Sequence, residues 1–173
     1  GQIDAWANMV PTLGMKAGIF QKHGIELENF GTQGAGETLQ AVISGSADLG
    51  IGIGTSGAMR AFVKGAPVRV IASSYTGVQD QFWYVPANSP LKSLKDATDK
   101  QTMSYSTNGS TSHNIALGFV KQLGAKAKPT ATGGPAATLT QTMSGQIDVG
   151  WAVVPFGLTE VQEGKIRIIA RGN

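Results

Sequence analysis

The chain has 173 residues, enough for one ordinary domain or for two small lobes that support each other. Charged residues make up 14% of it and apolar residues 41%, which excludes a disordered chain, and no apolar run is long enough for direct membrane insertion. Cysteine is absent, and the Lys and Arg behind the net charge of +3 are scattered singly, which excludes thiol chemistry and argues against a nucleic-acid partner.

Short strands and helices alternate along the chain. Helices are predicted, from helical spacing of apolar residues and the glycines that follow, over residues 12–23, 36–44, 55–64, 112–123 and 138–143. Strands are predicted, from alternating or short apolar runs, over residues 25–30, 48–53, 68–72, 81–85, 103–106, 148–153 and 166–170. This alternation predicts an α/β fold with a mostly parallel sheet covered by helices.

Part of the sequence repeats at an offset of 100 residues. Residues 32–50 reappear at 132–150, with identical residues at Thr32, Gly34, Thr38, Leu39, Ser44, Gly45, Asp48 and Gly50. A period this long indicates a domain-sized unit rather than a solenoid element. We therefore expect two similar lobes that face each other across a cleft, where small ligands usually bind.

Three polar loops follow predicted strands, which is where ligands of open α/β sheets bind. Gly54, Thr55 and Ser56 open a helix with free backbone N–H groups and hydroxyls, although simple helix capping explains them equally well. The loop that begins at Thr32 is rich in glycine, which allows either close approach to a ligand or a tight turn.

The loop at residues 106–112 is denser in hydroxyl groups than a helix cap needs. We expect ligand contacts from this loop, at Thr107, Asn108, Gly109, Ser110 and Thr111. Three aromatic side chains occupy positions from which they can reach a cleft or pack in the core, namely Trp6, Tyr75 and Trp151.

Catalytic signatures are weak. His23 and His113 are the only histidines, and neither is paired with an obvious nucleophile. Residues 52–57 fit the dinucleotide-binding pattern GxGxxG, but Ser73 and Ser74 stand where that fold needs an acidic residue. We therefore expect no catalytic residue, no metal site and no cofactor, and a protein that is not an enzyme.

Four segments in order carry a family resemblance: GIFQKHGI at residues 18–25, LQAVISGSAD at 39–48, KGAPV at 64–68 and SPLKSLKD at 89–96. They resemble solute-binding proteins of ABC transporters, within the nitrate/sulfonate/taurine (SsuA/TauA) and NMT1/THI5-like family. The resemblance implies a type II periplasmic-binding-protein fold with lobe 1 at residues 1–82 and lobe 2 at 83–165. Residues 166–173 would begin the return to lobe 1, whose C-terminal part would be missing.

The resemblance also implies a function. The protein would be an extracytoplasmic receptor, periplasmic or lipid-anchored, that captures a sulfonate, nitrate, carboxylate or pyrimidine-like solute by lobe closure and delivers it to ABC permease subunits. By position, Trp6, Asn8, Thr32, residues 54–56 and Tyr75 would line lobe 1, and residues 107–111 and Trp151 would line lobe 2.

Two departures from the family pattern bear on the ligand. Residues 153–155, VVP, replace the aromatic-acidic-Pro motif of sulfonate binders, and no Arg falls in the three loops. Family members also continue past the position of Arg171, so the resemblance implies exposed apolar surface on lobe 1 and weak or association-dependent binding. Two alternatives share the fold, a LysR-type effector-binding regulatory module and a THI5-like pyrimidine-precursor enzyme.

Overall fold

A computed structural model describes residues 2–172. The α-helices in this part of the chain are α1 (Val10–Lys16), α2 (Ile19–Lys22), α3 (Ala35–Ile43), α4 (Thr55–Val63), α5 (Thr111–Leu123), α6 (Pro135–Met143) and α7 (Leu158–Gln162). The strands are β1 (Gln81–Pro86), β2 (Thr102–Tyr105), β3 (Lys128–Ala131), β4 (Gly150–Val153) and β5 (Ile166–Arg171). Short 3₁₀ turns lie at Trp6–Asn8 and Leu94–Asp96.

The sheet is mixed. Strand β1 lies between β4 and β5 and is antiparallel to both, β2 pairs with β3 in parallel, and a parallel bridge between Met103 and Val149 joins the two groups. The strands that helices connect, β2 to β5, therefore all run in one direction, as the βα alternation predicts. Strand β1 runs the opposite way, and the segment that links it to β2 contains the 3₁₀ turn at Leu94–Asp96 but no α-helix. The prediction missed this reversal.

Three predicted strands are wrong. Residues 25–30, 48–53 and 68–72 form no strand. An alternating sequence specifies which side chains share a face, but a strand also needs a neighbouring backbone to form a ladder with, and these segments belong to no β-ladder of residues 2–172. The helix predicted over residues 12–23 is also interrupted, because Gly18 takes a left-handed φ of +68° between α1 and α2.

The hydrophobic core lies in the second half of the molecule, residues 81–172. Trp83 is fully buried, packs edge-on against Phe119 at 4.9 Å and donates from Nε1 to the Ser104 carbonyl at 2.8 Å. Of the described residues before Gln81, the two buried clusters include only Ala5. Thirteen of the seventeen exposed large apolar residues lie in the first half, residues 2–80, so this half contributes little burial and exposes much apolar surface.

The predicted boundary between the lobes, at residues 82 and 83, lies within strand β1 of this sheet. Residues 166–171, predicted to begin the return to lobe 1, form β5 beside β1. Residues 1 and 173, the outer limits of the predicted lobes, lie outside the described residues. The division at residues 82 and 83 stays a prediction.

The sequence repeat is a repeat of local structure. The hydroxyl oxygens of Thr32 and Thr38 lie 2.6 Å apart, and those of Thr132 and Thr138 also lie 2.6 Å apart. In each copy the second threonine donates to the carbonyl of the glycine four residues earlier, at 3.1 and 3.0 Å. The shared residues thus encode one buried hydroxyl pair that fixes a polar loop to the start of a helix.

Thr138→Val removes one member of this buried pair in the second half. We expect the free energy of unfolding to fall by about 1–3 kcal/mol, because the buried hydroxyl gives up hydrogen bonds to Thr132 and to the Gly134 carbonyl. Urea denaturation measures the change. Thr140→Val on the exposed side of the same helix is the matched control and should change stability by less than about 0.5 kcal/mol. Equal losses in both variants would contradict the role of the pair.

Candidate functional site

A cavity of about 50 Å³ with several polar side chains in its lining lies between the two halves, and we call it the cleft cavity. It is built from the N-terminal segment, the region around Tyr75, the start of β1, the loop before α5 and strand β4. Its lining residues are Gln2, Ala5, Ala7, Asn8, Ala35, Gly52, Tyr75, Asp80, Gln81, Ser106, Ser110, Thr111, Ser112, Trp151 and Val153.

A second cavity, of about 240 Å³, lies between α4 and the segment that contains Val68 and Val70. Its lining is apolar except for Arg69, whose guanidinium lies over the Phe62 ring at 4.7 Å. Solute sites combine apolar walls with several convergent polar groups. The cleft cavity has such groups and the larger cavity lacks them, so the cleft cavity is the candidate site.

Serine hydroxyls shape the loop that enters the cleft cavity before α5. The Ser110 hydroxyl caps α5 by accepting from the His113 backbone N–H at 3.1 Å. The Ser112 hydroxyl accepts from the Ser106 N–H at 3.0 Å and lies 3.0 Å from the hydroxyls of both Ser106 and Ser110. These buried contacts hold the loop in one conformation before any ligand arrives.

His113 holds the same loop from the other side. Its Nδ1 accepts from the Gly109 N–H at 3.0 Å, and its ring stacks on Tyr105 at 4.3 Å. Burial lowers the pKa of His113, and the nearby positive charge of Arg60 lowers it further. A neutral imidazole that accepts a backbone hydrogen bond has a structural role here.

Direct contacts join the two halves beside the cavity. The Gly36 N–H donates to the Thr107 hydroxyl at 3.0 Å, and the Asn114 amide donates to the Ser56 hydroxyl at 2.7 Å. Gly54 lies so close to the loop that a Cβ placed on it would stand 2.5 Å from the Gly109 carbonyl oxygen. These groups join the halves to each other and do not line the cavity.

The wall of the cavity nearest β1 carries a carboxylate. Burial raises the pKa of Asp80, more than a hydrogen bond from its own backbone N–H lowers it. Burial also raises the pKa of the neighbouring Tyr75, which the Thr111 hydrogen bond lowers and the charge of Asp80 raises. Beside them, the Gln81 side-chain oxygen accepts from Trp151 Nε1 at 3.2 Å, which fixes both side chains.

Asn8 also lines the cleft cavity. Its amide nitrogen donates to the Gln2 carbonyl at 2.9 Å. Its Oδ1 is buried and accepts no hydrogen bond from any residue in the range 2–172. A buried acceptor without a partner costs free energy, and this oxygen is closed off from solvent.

The structure brings part of the predicted site together. Five of the predicted residues line the cleft cavity: Asn8, Tyr75, Ser110, Thr111 and Trp151. The other eight lie outside its lining: Trp6, Thr32, Gly54, Thr55, Ser56, Thr107, Asn108 and Gly109. Trp6 is 60% exposed, because the adjacent Ala5 is buried in the core and the Trp6 N–H bonds the Val154 carbonyl, which leaves the indole outside.

Sequence reasoning missed Asp80 and the Gln81 side chain. A signal was present, because Asp80 is the only acidic residue between Asp48 and Asp96 and lies just before the aromatic run at residues 82–84. In the range 2–172, no group of three or more His, Asp or Glu residues is placed to hold a metal ion. None of the helices in that range has the length and apolar character to cross a membrane.

A family model described as NMT1/THI5 like matches residues 12–169. The chain belongs to the NMT1/THI5-like family. Among solved structures it is similar to the alkanesulfonate-binding protein SsuA from Xanthomonas axonopodis pv. citri bound to MOPS, with a TM-score of 0.74 and 20% identity over 98% of this chain and 58% of that one.

Two other solved structures show the same fold. The periplasmic aliphatic sulphonate binding protein SsuA from Escherichia coli has a TM-score of 0.67 and 23% identity over 94% of this chain and 53% of that one. MatC from Rhodopseudomonas palustris with bound malate has a TM-score of 0.62 and 22% identity over 96% and 62% of the two chains. A search of curated proteins finds no match.

These likenesses confirm the predicted periplasmic-binding-protein fold. The chain of this NMT1/THI5-like member spans between about half and three fifths of the length of these proteins. At these sequence identities the likeness extends to the fold alone, so ligand and partners have to be argued from the cavity itself.

Asp80→Asn tests the electrostatics of the cavity wall. The pKa of Asp80 is raised in the folded chain above an unfolded value of about 3.9. The ionised carboxylate therefore destabilises the fold above its folded pKa, and this cost disappears as the pH falls below the unfolded pKa. We expect Asp80→Asn to raise Tm at pH 7, with a gain that shrinks on acidification.

Thermal unfolding between pH 4 and pH 8 measures this profile. Asp99→Asn removes the same charge at an exposed turn and should produce no comparable gain. A Tm for Asp80→Asn that falls at pH 7, or a gain that grows towards pH 4, would show that the carboxylate stabilises the fold.

Proposed function

We propose that this chain forms the solute-capturing part of an extracytoplasmic receptor of an ABC importer. The observation that carries the proposal is the cleft cavity, in which polar groups from both halves of a periplasmic-binding-protein fold converge. Tyr75 and Asn8 come from the first half, and Ser110, Thr111 and Trp151 come from the second. A small solute in this cavity contacts both halves at once.

Closure of the two halves around the solute is the proposed mechanism. A ligand that contacts both halves favours the conformation in which they are close, because it binds that conformation better. The Gly36–Thr107 and Asn114–Ser56 hydrogen bonds support this mechanism, since they exist only when the halves meet. Each is a single bond of modest strength, so a ligand adds substantially to the closed state.

The hydrogen bonds that the residues nearest the cavity already make favour binding over catalysis. The one histidine beside the cavity uses Nδ1 to hold the Gly109 N–H, and the three serines of the loop bond one another. A histidine acts as a general base only through a ring nitrogen with a free lone pair, and in a neutral ring that accepts at Nδ1 the other nitrogen, Nε2, carries the proton. The loop is instead built as a rigid surface for hydrogen bonding.

Partners and location follow from the same proposal. We expect the receptor to act outside the cytoplasm, in the periplasm or attached to the membrane by a lipid, and to present its solute to permease subunits. The similarity in fold to the periplasmic aliphatic sulphonate binding protein SsuA from Escherichia coli supports this location.

A thermal-shift screen tests the receptor function. The panel contains taurine, alkanesulfonates, nitrate, bicarbonate, aromatic acids, pyrimidines and small amines. A solute that binds only the folded chain raises its stability by about 2.7 kcal/mol at a hundred times Kd, so Tm should rise with concentration for one class. Tyr75→Ala should abolish the rise, and Phe62→Ala in the larger apolar cavity should preserve it. A folded chain with no response to any class, or a response lost only in Phe62→Ala, would contradict the proposal.

Gly54→Ala tests lobe closure. Gly54 has a φ of −61°, so alanine fits its backbone, and any effect arises from the contact with Gly109. The added methyl group forces the halves apart at a cost of about 1–3 kcal/mol, which weakens ligand affinity roughly tenfold or more. Gly118→Ala, with open space around the new Cβ, is the matched control and should bind normally.

Pulsed EPR measures the opening directly. The chain has no cysteine, so spin labels attached at Ser46→Cys and Lys121→Cys report one distance between the two halves. Gly54→Ala should lengthen this distance and Gly118→Ala should not. Unchanged distance and affinity in Gly54→Ala would show that the Gly54–Gly109 contact is not part of closure.

A further inference from the structure

The charged side chains that line the cleft cavity are of one sign. Among the described residues that line it, Asp80 is acidic and none is Lys, Arg or His. The Asp80 carboxylate forms no salt bridge within residues 2–172, and its one hydrogen bond is with its own backbone N–H. The Arg60 guanidinium lies beside Gly109, and Arg60 is not among the residues that line the cavity.

On this wall Asp80 presents acceptor oxygens, and the Tyr75 hydroxyl can donate or accept. Asn8 Oδ1 is buried and has no partner among the described residues, and the Asp80 oxygens have capacity beyond their one backbone bond. Gln81 Oε1 is already occupied by Trp151. Across the cavity the Ser and Thr hydroxyls can donate or accept, so they do not choose between ligand classes.

The negative charge of Asp80 weakens the binding of an anionic solute at this wall and strengthens the binding of a cationic one. Coulomb's law with an effective dielectric constant near 20 makes repulsion between two unit charges at about 5 Å worth roughly a hundredfold in Kd. An N–H group that bonds Asp80 restores the hydrogen bonds that burial removes. Burial raises the pKa of Asp80, which agrees with a carboxylate that lacks a counter-charge in the unliganded chain.

Building on the proposed receptor function, we propose that the cleft cavity selects solutes by a cationic or N–H-rich group that binds Asp80. The cavity volume of about 50 Å³ has room for roughly three or four water molecules, which corresponds to a head group of a few heavy atoms. Ammonium, amidinium and the amino edge of an aminopyrimidine meet both conditions. Asp80 is then the residue that determines specificity, and sulfonates and nitrate are disfavoured.

Isothermal titration with two matched sets of small probes tests the inference. The donor set is methylammonium, acetamidinium and 4-aminopyrimidine, and the acceptor set is methanesulfonate, acetate and nitrate, at constant ionic strength. We expect at least tenfold tighter binding of the donor set. Asp80→Asn should abolish this preference, and Asp99→Asn, which makes the same change in net charge at an exposed turn, should retain it.

The outcomes separate this inference from the receptor function. Tighter binding of the acceptor set, with affinities unchanged in Asp80→Asn, overturns the role of Asp80 and leaves the receptor proposal standing. Failure of both sets and of the wider solute panel to bind the folded chain overturns the two proposals together. A donor preference that persists in Asp80→Asn overturns the assignment of specificity to this carboxylate.

Discussion

Strand β1 bonds to neighbouring strands along both edges, and its first five side chains are buried in succession. Trp83 stands opposite Trp151 of β4 and Ala170 of β5, so the strand cannot shift without breaking two ladders and the aromatic packing around it. Asp80 directly precedes this strand and Gln81 is its first residue. The rigid sheet therefore fixes the polar wall of the cleft cavity, and the Gln81–Trp151 hydrogen bond couples that wall to β4.

The two halves differ in what stabilises them. The second half contains nearly all of the buried clusters, whereas the first half exposes most of its large apolar side chains. Local stability follows buried contacts, so the second half should be the stable unit and the first half the mobile one. The halves meet through a few hydrogen bonds and through glycines such as Gly54, which allow backbone to approach backbone. A solute that spans the cavity would supply contacts that the chain itself lacks.

The sequence predicted local features best. The repeat at an offset of 100 residues corresponds to a repeated threonine pair, and the helices that end at glycine or before it lie within a few residues of their predicted positions. The reversed direction of β1 and the absence of strands at residues 25–30, 48–53 and 68–72 depend on which backbones meet. Side-chain alternation carries no information on that pairing, so these features were not predictable from pattern alone.

In the candidate site, too, the local composition of a loop was predictable from the sequence, whereas the contacts between loops were not. The hydroxyl-rich loop at residues 106–112 was predicted because its composition exceeds the needs of a helix cap, and Ser110 and Thr111 do line the cavity. Which hydroxyls face the cavity and which join the halves depends on how closely the loops approach each other, and the sequence does not specify that distance. Asp80 was missed because an acid before a buried strand is usually a solvated end of that strand, and here it is partly buried in the lining of the cleft cavity.

The central claim is that one small polar solute binds at the wall formed by Tyr75, Asp80 and the loop before α5. Mapping backbone amide chemical shifts by NMR during titration with the best solute of the panel tests it most directly. The account predicts saturable shift changes concentrated at residues 75–81 and 106–112. Changes confined to α4 and residues 68–70 would place binding in the apolar cavity and contradict the account.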